Sequence, residues 1–180
     1  MKPAAKRTIA FLRAINVGGH VVPMAKLAKL FAQLGLAEVE TFIASGNVVF
    51  ATPTGSPAAL EKRIAAHLEK ALGYEVATFL RTPAELGAVL EHRAFARTVP
   101  GATIYIGFLA VAPDAAATKR ISELTTPRDD FHVHGRELYW RGHDGMGQSK
   151  VSGAKLEKAL GQPVTFRNAT TVGKLVAKYG

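Results

Sequence analysis

Between residues 7 and 81 the spacing of apolar side chains switches from alternate positions to every third or fourth and back, twice, in the order strand, helix, strand, strand, helix, strand. Few small folds accept that order. Residues 7–13 alternate and favour apolar and β-branched types, and Gly18-Gly19 sit in the loop behind them. Pro23 suits a first helical turn, after which Met24, Leu27, Leu30, Phe31 and Leu34 recur at helical spacing until Gly35. Residues 39–44 and 48–51 read as two strands joined at Ser45-Gly46-Asn47, where Gly46-Asn47 signals a tight hairpin. Ser56-Pro57 opens a helix whose stripe of Leu60, Ile64, Leu68 and Leu72 stops at Gly73, and 75–81 is a fourth strand.

The same order returns. Thr82-Pro83-Ala84-Glu85 is a capping box that starts a connecting helix ending near His92. Strand 102–110, helix 113–124, a hairpin of 131–134 and 136–141 turning at Gly135, helix 149–160 stopped by Gly161, strand 163–166 and helix 170–179 complete the chain. A βαββαβ order is the split ferredoxin-like unit. Its recurrence predicts an α+β protein built by tandem duplication of two ferredoxin-like subdomains, with antiparallel or mixed sheets and helices packed on them. The expected boundaries are 1–81 for the first subdomain, 82–101 for a connecting helix and linker, and 102–180 for the second subdomain with a C-terminal helix.

With 180 residues, 48% of them hydrophobic, the chain can bury a substantial core. The absence of Cys excludes disulfides, thiolate nucleophiles and thiolate metal sites. No apolar run approaches the length of a membrane span, which leads us to expect a cytoplasmic protein with no membrane partner. The net charge of +9 is concentrated at the ends: residues 1–30 hold six Lys/Arg and no acid, and residues 150–180 hold six against Glu157 alone. Such a distribution draws nucleic acid or anionic small molecules, and equally serves solubility.

Four groups of residues carry candidate chemistry. Gly18-Gly19, between a strand and a helix, can present backbone amides to a phosphate at the helix N-terminus or simply turn the loop. Ser45, Gly46 and Asn47 at the sheet edge, beside Arg13 and Asn16, make a donor-rich rim suited to a carboxylate or oxyanion; no base is placed to activate Ser45. In Gly147-Gln148-Ser149-Lys150, a cap and a cation at a helix start can hold phosphate, although Ser149 as a plain N-cap needs no ligand. His132-x-His134, with His143 and Asp144 nearby in sequence, offers only two donors at a convincing spacing, so no metal site is assigned. Strand 104–109 has the aromatic character of an RNA-recognition strand, without the companion motif that such domains carry.

The chain also resembles a bacterial family, domain of unknown function 1697. The matching residues are Leu12-Arg13-Ala14-Ile15-Asn16-Val17-Gly18-Gly19, Val22-Pro23-Met24, Ser45-Gly46-Asn47-Val48-Val49-Phe50, Gly145-Met146-Gly147-Gln148-Ser149-Lys150, and Arg167-Asn168 with Thr171-Val172 and Lys174-Leu175. The resemblance runs from about residue 8 to 176 and implies two ferredoxin-like subdomains. It implies no activity, and any cofactor is unknown. It adds Arg167 and Asn168 to the candidate ligand contacts. Ala14 stands where the family usually has Gly, Val21 where a basic residue often precedes Val-Pro, and Ala169-Thr170 where it usually has Trp and Asn. A ligand that stacked on that Trp has no such surface here.

Charge and rim together favour a basic binding module for an anionic ligand, a phosphate-containing metabolite or nucleic acid. Two alternatives stand beside it: an enzyme on a small phosphorylated or carboxylated substrate, and a structural or partner-binding protein in which the same residues hold loops together.

Overall fold

The computed structural model describes residues 6–180; Lys2, part of the basic amino-terminal run, and the first residues of the expected first subdomain lie outside the described residues. The elements follow in the order β1 (Arg7–Leu12), α1 (Met24–Gln33), β2 (Glu40–Thr41), β3 (Asn47–Ala51), α2 (Pro57–Leu72), β4 (Thr78–Arg81), α3 (Pro83–Glu91), β5 (Thr103–Phe108), α4 (Ala115–Ser122), β6 (Asp129–His134), β7 (Glu137–Gly142), α5 (Gly153–Leu160), β8 (Thr165–Asn168) and α6 (Ala169–Tyr179). Two compact units result, one up to Leu86 together with Tyr179–Gly180, the other Gly87–Lys178. The protein is α+β, with two four-stranded antiparallel sheets and helices.

In the first unit the strand order is β2-β3-β1-β4, and all three pairings are antiparallel. One face of the sheet presents Ala10, Leu12, Val48 and Phe50 to Leu27 and Phe31 of α1 and to Ile64 and Leu68 of α2, all essentially solvent-free. Apart from Ala10, each such side chain contributes roughly 1.5–3 kcal/mol relative to exposure. The alternate positions Ile9, Phe11, Val49 and Phe79 are buried as well. Both faces of this sheet are therefore dry, which removes the open aromatic platform an RNA-recognition domain needs. β4 is an edge strand, and the carboxylate of buried Glu61 accepts from Leu80 N at 2.8 Å, satisfying a donor that the sheet leaves unpaired.

The second unit repeats the strand order as β6-β7-β5-β8, again antiparallel. Leu138 and Trp140 of β7 pack with Ile121 of α4 and Leu156 and Leu160 of α5. Gly107 of β5 lies opposite Phe166 of β8, where a Cβ would come within 2.7 Å of the Phe166 ring. Only glycine lets that ring cross the strand. The aromatic strand read at 104–109 is interior at its C-terminal half, where Ile106, Phe108 and Leu109 are buried; Tyr105 packs with Trp140, and Ile104 is exposed.

Three local expectations are corrected. The first hairpin is not tight: β2 has two residues, pairs only Glu40 with Val49 and Thr41 with Val48, and a five-residue link, 42–46, joins it to β3. Its cause is Ile43, whose φ of 51° takes the chain out of extended geometry. Secondly, α5 starts at Gly153 with Ser152 as N-cap, accepting from Lys155 N, while Ser149 ends a 3-10 turn at Met146–Gln148. Thirdly, the fourth strand of the first half is shorter than the expected 75–81, spanning Thr78–Arg81, and that of the second half, Thr165–Asn168, keeps the expected length but begins two residues later than 163.

Candidate functional site

The rim expected in the first unit is assembled, and most of its polar groups are spent in assembling it. Asn16, held at φ 55°, donates from Nδ2 to Ala44 O at 2.9 Å and accepts at Oδ1 from Val22 N at 2.7 Å. Buried Asn47 donates from Nδ2 to Phe42 O at 3.0 Å and to Ser45 Oγ at 2.9 Å, and Leu12 N donates to Gly46 O. Arg13 is half-buried, with its amide on Ala77 O. Gly46 and Asn47 are interior groups and not an exposed rim. Gly18 and Gly19, at φ 59° and 86°, form an exposed turn closed by His20 N on Val17 O. Residues 20–23 separate that turn from α1, so these amides do not sit at the helix N-terminus.

In the second unit Ser149 and Lys150 line a cavity of 330 Å3 with Arg128, Asp129 and Asp144. Its charges cancel. Arg128 and Asp144 form an ion pair, and the Arg128 hydrogen bond holds the Asp144 carboxyl below its ordinary value. Ser149 Oγ donates to Asp129 Oδ2 at 2.9 Å and accepts from Val151 N. The buried Asp129 carboxylate also accepts from Trp140 Nε1 at 2.9 Å and Thr126 Oγ1 at 3.0 Å. The Ser149 hydroxyl is thus engaged in a part-buried network on Asp129, and it does not stand at a helix start. Lys150 is exposed, three residues before α5, and so outside its first turn.

Arg167 is also interior. It is 7% exposed and donates to Thr165 Oγ1 at 2.9 Å and to Phe166 O at 2.8 Å. Desolvation pushes its guanidinium down to about 10, still far above neutrality, so it remains a buried cation. Asn168 Oδ1 accepts from Thr170 N at 2.8 Å and caps α6.

A cationic pocket lies elsewhere, in a stretch read from the sequence only as linker. A cavity of 240 Å3 is ringed by Arg93, Arg97 and Arg141 over an apolar floor that includes Val89, Ile104 and Ile106. Among the described residues no carboxylate lines it. Arg141 is fixed: its guanidinium pairs with Asp130 at 2.8 Å, donates to Arg97 O at 2.5 Å and lies 4.5 Å from the Phe95 ring centroid. Arg93 and Arg97 are exposed. Ala169 lines the same cavity, where its short side chain leaves room. The legible signal was local: His92-Arg93-Ala94-Phe95-Ala96-Arg97 packs three basic or titratable groups and an aromatic ring into six residues between a helix end and Pro100-Gly101.

The sequence reading also missed a third histidine beside His132 and His134. His92, the residue after α3, has its amide on Ala88 O, and its Nε2 lies 3.1 Å from His132 Nε2. Its ring stacks on His134 with centroids 3.8 Å apart. Desolvation, then the two neighbouring imidazoles, lower the His92 pKa below its ordinary value. His143 and Asp144 are not part of this cluster.

Comparison with known proteins bears on fold and family. No match was found among curated proteins. Conserved bacterial protein SP0830 from Streptococcus pneumoniae has a similar structure, with a TM-score of 0.71 and 22% identity over 98% of this chain and 100% of that one. Among the described residues no helix is long and apolar enough to cross a membrane. Residues 5–139, three quarters of the chain, match the model of the family described as protein of unknown function (DUF1697), and the chain belongs to that family.

Proposed function

We propose that this protein binds a small anionic ligand, and that the arginine pocket of the second unit is where it binds. The observation that carries this reading is a cavity lined by three arginines, of which Arg141 is paired with Asp130 and Arg93 and Arg97 are exposed, together with apolar side chains and no carboxylate. Arginine presents a planar fork that matches carboxylate and phosphate oxygens, and a low-polarity floor strengthens that attraction. At 240 Å3 the cavity is smaller than the roughly 300 Å3 at which drug-sized sites begin. A compact phosphate or carboxylate ester or acid with an apolar body fits; a polynucleotide does not. Nucleic acid remains a partner through net charge alone, with the steep salt dependence that such binding has.

Duplication of a ferredoxin-like unit is the evolutionary reading we attach to the fold. Its support is the identical strand order of the two sheets and a shared residue register. Arg81 lies opposite Ile9 and Arg167 opposite Ile106; each is buried and donates to the carbonyl of the residue before it, and the residue after each caps a helix.

The test is a thermal-shift series with inorganic phosphate, phenyl phosphate and benzoate on the wild type and on an Arg93→Ala/Arg97→Ala double variant. At about one hundred times Kd a single site adds about 2.7 kcal/mol, or about 5–10 °C for a chain of this length. The two aromatic anions should raise Tm more than inorganic phosphate, and the double variant should lose the rise. A rise that survives in the double variant, or no rise with any of the three, sinks the reading.

A further inference from the structure

The three histidines form a donor set that neither the family nor the pocket accounts for. His132 and His134 stand two apart on β6 and so share a face of the strand. The C-terminal end of α3 delivers His92 to that face, and the amide of His92 is pinned to Ala88 O at 3.1 Å. All three rings meet: His92 lies 3.8 Å from His134 at 11° and 5.3 Å from His132 at 22°. One ligating nitrogen from each ring lies within 4.8 Å of the other two.

Two nitrogens on a tetrahedral zinc-sized ion, each about 2.0–2.1 Å from it, are roughly 3.3–3.4 Å apart. The 3.1 Å hydrogen-bond distance between Nε2 of His92 and Nε2 of His132 is within about 0.3 Å of that separation, and a metal would take the place of that hydrogen bond. The nitrogens of the set lie within 4.8 Å of one another, so reaching that separation takes a closure of up to roughly 1.5 Å, for which the exposed His134 ring is the free member.

We infer that His92, His132 and His134 bind a divalent transition-metal cation of the zinc class, with a coordination position left for water or an exogenous anion. Imidazole donors and the lack of an oxygen ligand in the set select zinc, cobalt, nickel or copper over magnesium and calcium. Three protein ligands with one exposed member are the pattern of a site that keeps an open position. The inference does not rest on the anion pocket: His132 and His134 are outside that pocket's lining, and only His92 belongs to both.

The experiment is calorimetric titration of the chelator-stripped full chain with Zn2+, and optical titration with Co2+, in a buffer that does not compete for metal. The expected result is one ion per chain and the strong visible absorption of low-symmetry Co2+, displaced by Zn2+. His134→Ala, chosen because its side chain is exposed and the fold survives its loss, should weaken Zn2+ binding by more than about 100-fold, since changes even outside the ligand shell cost 10–100-fold. His143→Ala should bind as wild type. His132→Ala should lose the metal and keep the thermal shift with phenyl phosphate, which separates this claim from the pocket. Absence of a stoichiometric site, or a His134→Ala variant that binds Zn2+ and Co2+ unchanged, overturns the inference.

Discussion

Gly46 is the most constrained residue of the loop pair in the first unit. Its φ is 77°, and a Cβ there would lie 2.9 Å from Ile15 Cβ and 3.3 Å from Leu12 Cβ. A Gly46→Ala variant meets both a left-handed backbone penalty of about 1–2 kcal/mol and an overpacking penalty of about 1–3 kcal/mol. The expected loss is about 3 kcal/mol, read from urea unfolding; a loss under about 1 kcal/mol would show that the loop relaxes freely. Ala14, at φ 62°, occupies the same glycine-favoured geometry. Asp144 gives a second residue-scale test. Its carboxyl is held below the ordinary value near 3.8 first by the Arg128 hydrogen bond. A carboxylate depressed in the folded state stabilises above its unfolded pKa, and that contribution fades as pH falls through the folded value. Arg128→Ala should therefore raise the Asp144 pKa towards 3.8 in an NMR titration, and a pKa that does not move would remove the pair as its cause.

At the scale of elements, what the sequence made legible was what glycine, proline and capping residues punctuate. Gly73 and Gly161 end α2 and α5 in left-handed geometry, and Thr82 with Glu85 closes the capping box of α3 at 2.7 and 3.2 Å. Where two candidates competed, local signals did not decide. Ser149 and Ser152 are both good caps by type; Ser149 is captured by the buried carboxylate of Asp129, so the helix starts at Ser152. The two serines should accordingly differ when removed. Ser152→Ala costs about 1 kcal/mol, the worth of an exposed N-cap. Ser149→Ala leaves Val151 N and one Asp129 lone pair short and costs about 1–3 kcal/mol. Equal small losses in chemical denaturation would contradict the assignment of roles.

At the scale of the whole chain, element order was readable because period and punctuation are local, whereas both functional candidates of the second unit are long-range. His92 and His132 are 40 residues apart, and Tyr139 and Arg141 of β7 complete a pocket begun by the segment after α3. Nothing in the spacing of His132-x-His134 announces a third ligand from the end of a helix. Conversely, Arg13, Asn16, Ser45 and Asn47 looked like a ligand rim because polar residues beside strand ends are ambiguous until their partners are known. Asn16 and Asn47 each make two hydrogen bonds within the loop pair, which leaves the arginine pocket as the better anion site.

That ranking is tested most directly by following the backbone and arginine side-chain NMR signals of the full chain while phenyl phosphate is added. The account predicts saturating shifts at Phe95, Arg97, Ile104 and Arg141, with Arg13, Asn16 and Ser45 unmoved. Shifts that saturate at Arg13 and Ser45 while the arginine pocket stays silent would contradict it.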